Sequence, residues 1–152
     1  MLTDQQLNAT LITVDRNKVQ VRSLLGVPLV LAFFPAAFTS VCTEELCTFR
    51  DSISRFNAVK ASVYGVSIDT PFTLKVFAEQ NQLNFALLSD ANREATRAFD
   101  VVWPDLAGVR ETSNRAVFVI DSTGNTVYSW VAEKPGIAPP FEDILTAVTA
   151  AT

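Results

Sequence analysis

The sequence predicts an α/β protein: a mixed central sheet with helices on both faces and an amino-terminal β-hairpin. Three observations predict it. The run VPLVLAFF, residues 27–34, is eight consecutive apolar residues, the length and content of a strand covered on both faces. Strand-like and helix-like segments then alternate through the middle of the chain. A strand–turn–strand unit and a final helix close it.

Taken in order, residues 8–14 and 19–23 flank the turn-like Asp15-Arg16-Asn17 and form the predicted hairpin. The strand at 27–34 follows, then one helix over roughly 41–57. ASVYGVSI, residues 61–68, reads as a second core strand. Asp69 and Thr70 cap a helix that starts at Pro71, a favoured first helical position, and runs to about residue 81. Residues 85–88 make a short strand, and Ser89-Asp90 opens a helix containing Arg93, Glu94 and Phe99. A loop over 103–112 leads to a strand at 116–120. Asp121-Ser122-Thr123-Gly124-Asn125 turns that strand into the next, 126–131. Pro139 and Pro140 introduce a last helix over 141–150.

Composition narrows the function. At 152 residues the chain is expected to be a single domain, residues 1–152. Twelve basic against sixteen acidic residues give a net charge of −4 and no electrostatic case for nucleic acid. The longest apolar run falls far short of the ~20 residues a membrane span needs. The opening MLTDQQLNAT lacks the basic and apolar segments of a secretory signal, so a cytoplasmic protein is expected. Zero histidines exclude Ser-His-Asp and Cys-His hydrolases and any imidazole metal site. The five glycines are scattered singly and build no phosphate loop, so neither cofactor nor metal is expected.

What remains for chemistry is a pair of thiols, Cys42 and Cys47, in FFPAAFTSVCTEELCTFRD. Cys42 falls where a strand hands over to a helix whose first turn would carry Thr43, Glu44 and Glu45. Unpaired N–H groups there favour the thiolate, the reactive form. Inert packing is the plain alternative for any free cysteine. Two thiols cannot fill a zinc site. On one helix, a five-residue separation sets the two Cα atoms roughly 8–9 Å apart, beyond the ~7 Å reach of a disulfide. A bond between them would require the helix to unwind, which suits a catalytic cycle better than a staple.

Pro35, Thr39 and Cys42 have the spacing of the peroxiredoxin signature. Cys42-Thr43, Glu45, Cys47 and Phe49-Arg50-Asp51 resemble the bacterioferritin-comigratory-protein, or Q-type, class, in which a second cysteine follows five positions on. Residues 113–121, SNRAVFVID, resemble the segment that delivers the family's active-site arginine. Residues 64–80 and 85–101 are similar to peroxiredoxins that include the alkyl hydroperoxide reductase E-like branch. Residue 41 is valine where the class often has glycine.

The resemblance implies a thioredoxin-like, three-layer α/β/α fold and a thiol-dependent peroxidase. Cys42 would be the peroxidatic nucleophile and pass through a sulfenic acid. Arg115 would lower its pKa and hold a peroxide oxygen with a planar fork of donors. Thr39 would align the peroxide, Pro35 shield the site from water, and Glu45 hold Arg115 by a charge-assisted bond. Cys47 would resolve the sulfenic acid as an intramolecular disulfide. The partners so implied are hydrogen peroxide or an organic hydroperoxide, and a thioredoxin- or glutaredoxin-like reductant, acting on a monomer or homodimer. The competing readings are a 1-Cys peroxidase with Cys47 a spectator, and a non-enzymatic peroxide sensor using the same thiol. A thioredoxin-type oxidoreductase would want two residues between its cysteines rather than four.

Overall fold

The computed structural model describes residues 1–152, the side chain of Cys42 excepted. Its first element is a short helix, α1 (Asp4–Asn8), where the sequence reading expected none. Thr3 accepts from the Gln6 N–H and the Gln6 side chain accepts from the Thr3 N–H. This capping box is a signal present in the sequence as T-x-x-Q. The expected hairpin follows as β1 (Thr10–Thr13) and β2 (Lys18–Gln20), in register at Leu11 and Val19.

The next elements are β3 (Leu29–Phe33), α2 (Ser40–Asp51), α3 (Ile53–Ala58), β4 (Ser62–Ser67), α4 (Pro71–Gln80), β5 (Ala86–Ser89) and α5 (Glu94–Ala98). Then come β6 (Val102–Leu106), β7 (Val109–Ser113), β8 (Ala116–Ile120), β9 (Thr126–Val131) and α6 (Phe141–Ala150). Seven strands form one mixed sheet in the order β2-β1-β5-β4-β3-β8-β9. The fold is thioredoxin-like, with β3 parallel to β4 and antiparallel to β8.

Every residue of β3 is buried because both faces of the sheet are covered. Leu29, Leu31 and Phe33 join the core beneath α5, with Phe99 and Phe118. Val30 and Ala32 join the opposite core, with Phe49 of α2, Phe56 of α3 and Ile144 and Val148 of α6. Helix α4 lies on that second face too. Its Leu74 and Phe77 pack with Leu46 and Leu87, and Leu87 is in register with Gly65, itself in register with Ala32. Gly65 leaves room for the Leu87 side chain of the adjacent strand and for the Phe34 ring. A Cβ there would lie 2.6 Å from Leu87 Cδ2, 3.3 Å from Phe34 Cε1 and 3.5 Å from Leu46 Cδ2.

Two expectations are corrected. The single helix over 41–57 is two helices, because Ser52 turns at ψ 8° and its N–H bonds to Phe49 O, three residues back, at 3.2 Å. That tight closure ends α2 before α3 begins. The loop over 103–112 is a β-hairpin, β6–β7. Its two-residue turn, Ala107-Gly108, has positive φ at both positions, 52° and 91°. This is the twist-matched hairpin geometry, but alanine rather than asparagine or aspartate at its first position conceals the turn in the sequence.

Candidate active site

The site is assembled by strand register. Phe33 at the end of β3 pairs with Ala116 at the start of β8. Arg115, which immediately precedes Ala116, is therefore set beside the exit of β3, where the chain continues into Pro35, Thr39 and α2. A separation of 73 residues between Cys42 and Arg115 is closed by one antiparallel pairing.

Pro35 is buried directly after the strand, and Phe38 turns the loop in a left-handed conformation at φ 68°. Thr39 occupies the N-cap position of α2 but does not cap it with its side chain. Its hydroxyl instead donates to Ala36 O at 2.9 Å, which leaves the oxygen lone pairs able to accept from a ligand. Helix α2 starts at Ser40, earlier than the sequence reading set it, so Cys42 is its third residue. The first turn is consequently free of carboxylates. Glu44 and Glu45 fall in the second turn and do not serve the helix dipole there. Both cysteines are on α2, with the backbone of Cys42 in its first turn; the predicted thiol position itself lies outside the described residues.

Glu45 points into the protein and meets Arg115. Arg115 Nη1 donates to Glu45 Oε2 at 2.5 Å, and the two side chains are 2% and 1% exposed. Such a pair is costly to break, since either partner alone would be an uncompensated buried charge. Arg115 Nε donates to Pro135 O at 2.9 Å. Its backbone is held as well: the Arg115 N–H donates to Asn114 Oδ1, and Asn114 Nδ2 donates to Ala132 O, at 2.8 and 2.7 Å. Glu45 Oε1 has no hydrogen-bond partner among the described residues. Burial pushes the Glu45 carboxyl from its ordinary 4.5 up to about 7, although the charge and hydrogen bond of Arg115 pull it down.

Pro35, Thr39, Val41, Leu106, Arg115 and Pro135 line a pocket of about 170 Å³. Its walls are mostly apolar and its charged group is the guanidinium. The valine at position 41 takes part in this wall, as does Leu106 from the β6–β7 hairpin. The sequence reading had no means to find Leu106 or the Pro135 carbonyl. Both sit in segments without periodicity and reach the site only through the tertiary fold. Cys47 lies away from this pocket, half-buried toward α4, with its Sγ 3.9 Å from Asn81 Oδ1. Thus Pro35, Thr39 and Arg115 share one pocket, Glu45 buttresses it, and Cys47 stands apart. Among the described residues no cluster of three His, Cys, Asp or Glu is placed to hold a metal ion, and no helix is long and apolar enough to cross a membrane.

An AhpC/TSA family model matches residues 2–129, and the chain belongs to that family. Within it, the chain is of the Q, or bacterioferritin-comigratory-protein, type of peroxiredoxin. It is 36% identical over 110 residues to a chloroplastic peroxiredoxin Q of Gentiana triflora, covering 72% of this chain and 49% of that protein. A putative peroxiredoxin of Mycobacterium tuberculosis is 33% identical over 120 residues, covering 78% and 76%. The chain thus spans about half the length of the chloroplastic relatives it matches. Among solved structures, the Xanthomonas campestris bacterioferritin comigratory protein, described with alkyl peroxide reduction activity, aligns with a TM-score of 0.85 at 25% identity, covering 99% of this chain and 96% of that one. Peroxidoxin BcpB of M. tuberculosis aligns at 0.82 and 31% identity, covering 94% and 92%.

Proposed function

We propose that this chain is a thiol-dependent peroxidase in which Cys42 is the peroxidatic thiol and Cys47 resolves it. The observation that carries the reading is the buried Arg115–Glu45 pair, which presents a guanidinium to a small pocket at the amino-terminal end of the helix bearing both cysteines. In the first step the Cys42 thiolate attacks one peroxide oxygen and the O–O bond breaks. The sulfur becomes a sulfenic acid, and the departing hydroxide or alkoxide takes up a proton as water or alcohol. Arg115 stabilises both the thiolate and the charge growing on the leaving oxygen. Thr39 accepts from the peroxide, and Pro35 keeps water from the sulfur. Glu45 fixes the guanidinium so that its donors need not reorganise during the reaction.

In the second step the Cys47 thiol condenses with the sulfenic acid, losing water and forming an intramolecular disulfide. With both residues on α2, roughly 8–9 Å apart by helix geometry, that bond requires the segment between them to unwind. An external dithiol of the thioredoxin or glutaredoxin kind then exchanges with the disulfide, in keeping with a reducing compartment such as the cytoplasm. The apolar pocket wall suits an organic hydroperoxide as well as hydrogen peroxide.

Peroxide consumption by wild type, Cys42→Ser and Cys47→Ser, with several dithiol and monothiol reductants, tests the assignment. Cys42→Ser is expected to be inactive. Cys47→Ser is expected to complete one oxidation and stall as sulfenic acid, with overoxidation in excess peroxide. Full turnover of Cys47→Ser with every reductant would make Cys47 a spectator, and stoichiometric oxidation of wild type without turnover would indicate a sensor.

A further inference from the structure

The loop between β3 and α2 delivers Thr39 and the start of the helix, and within it the one side-chain bond among the described residues is that of the Thr39 hydroxyl to Ala36 O. Phe38 holds φ 68° without being glycine, a conformation that side chains adopt only under outside constraint. The Thr39 side chain makes no cap. The Phe38 ring rests edge-on against Phe77 of α4 at 5.1 Å, and the preceding residue is held from beyond the end of β4. Asp69 Oδ2 accepts from the N–H of Ala37 at 2.8 Å, across 32 residues of sequence. Ala37 is only 9% exposed, and Asp69 is the partner of its N–H.

Asp69 is itself held at three points. The same Oδ2 accepts from Ser67 Oγ at 2.7 Å. The Asp69 N–H donates to Ser67 Oγ at 3.2 Å. Ser89 Oγ donates to Asp69 O at 2.6 Å, and Ser67 and Ser89 are register partners at the ends of β4 and β5. The carboxylate is therefore rooted in two adjacent strands and reaches out to a single amide two residues before Thr39.

We infer that Asp69 is a positioning residue for the peroxidatic site: it fixes the Pro35–Thr39 loop, and through it the Thr39 hydroxyl and the amino-terminal turn of α2 that surrounds Cys42. It touches neither the peroxide nor the thiol, and it acts through the Ala37 amide. The inference rests on Cys42 as the reactive thiol. The cap of α4 is Thr70 alone, whose hydroxyl accepts from the Thr73 N–H, so the Asp69 carboxylate is free of the capping role expected of it.

The test uses the full chain in a Cys47→Ser background, where Cys42 is the sole thiol. The rate of alkylation by iodoacetamide against pH reports the Cys42 thiolate without peroxide, and single-turnover oxidation reports the peroxide step. Asp69→Ala is expected to move the alkylation midpoint to higher pH and to slow oxidation by about tenfold or more, a size set by the sensitivity of catalysis to small misplacements. Asp69→Asn, whose amide oxygen can accept the same bond, is expected to stay within about threefold of the Asp69 protein. A folded Asp69→Ala with unchanged midpoint and unchanged oxidation rate would overturn the inference. Amide exchange of the unsubstituted protein reads the same bond should Asp69→Ala not fold: the Ala37 N–H is expected to exchange at least about tenfold more slowly than a free peptide amide. An unprotected Ala37 would also overturn it. Alkylation involves no peroxide, so a failed peroxidase reading, with no turnover at all, leaves the midpoint comparison decisive.

Discussion

The two ends of α2 are held by different physics. Near its start, the decisive contact is one buried ion pair, Glu45 with Arg115, backed by the Pro135 carbonyl. Near its end, Phe49 packs among Phe56, Phe85 and Phe141 at centroid distances of 5.4–6.2 Å. Arg50 Nη1 donates to Asn81 O at 2.7 Å, and Asn84 Nδ2 donates to Arg50 O at 3.2 Å. The first end depends on a few polar contacts, this ion pair and the Asp69–Ala37 bond that holds the loop leading into it, and each is lost whole when one partner is removed. The second spreads its stabilisation over rings and amides, so no one loss releases it. A helix built this way can let go at one end while the other stays seated. The proposed unwinding between Cys42 and Cys47 needs just this asymmetry.

The largest expected effect comes from breaking the concentrated end. Arg115→Met leaves the Glu45 carboxyl buried without its partner, and with Arg115 no longer pulling its pKa down the group takes up a proton near neutral pH. The loss should grow as pH rises above 7, toward the roughly 3–5 kcal/mol of a broken buried pair. Denaturant unfolding should show that loss, and single-turnover peroxide oxidation should fall by at least about 100-fold, the usual cost of removing a donor to developing charge. A variant that stays within about 1 kcal/mol of wild type as pH rises above 7 would mean that the pair does not hold the helix start.

A smaller effect separates charge from contact at the same end. The Glu45 carboxyl titrates at about 7 in the folded protein, against its ordinary 4.5. The folded form therefore binds more protons than the unfolded one between those values, and stability from this group falls as pH rises from about 4.5 through about 7. Glu45→Gln cannot ionise yet retains an oxygen to accept from Arg115. The stability of wild type relative to Glu45→Gln should thus be higher at pH 5 than at pH 8, by on the order of 2 kcal/mol. A difference independent of pH would show a carboxylate ionised throughout, held by Arg115 alone.

The sequence was most legible where a residue's chemistry and its local spacing coincide. The β3 strand, the helix opening at Pro71 and the turn at Asp121–Asn125 were readable because apolar runs, caps and turn formers act within a few residues. The family resemblance pairs Glu45 with Arg115, and in the structure the Phe33–Ala116 register brings the two side chains into contact. Asp69 was visible only as a helix-capping letter. Its bond to Ala37 spans 32 residues and has no local signature. The same holds for Leu106 on a hairpin hidden by the Ala107-Gly108 turn, and for the break at Ser52 inside an otherwise helical pattern. Long-range hydrogen bonds and strained turns are set by what the rest of the chain packs against, which periodicity does not record.

The smallest expected effect concerns Asn81 and sharpens the distributed end. The Asn81 side chain accepts weakly from the Cys47 thiol at 3.9 Å and donates to Phe77 O at 2.9 Å, while its backbone carbonyl takes Arg50. Asn81→Ala removes the two side-chain bonds and leaves the backbone one. At the usual net worth of a hydrogen bond, and with the thiol bond weak, the cost should be about 1 kcal/mol. The loss should be local. In the reduced protein, amide exchange over residues 46–51 should speed up by no more than about fivefold, the factor such a cost allows, while residues 40–45 keep their protection. Freed of its partner, Cys47 should also condense faster with the sulfenic acid, with the first oxidation unchanged, as seen by comparing disulfide formation with thiol loss after one equivalent of peroxide. Exchange rising equally along the whole helix would show that α2 opens as one unit, and the division between its two ends would then be wrong.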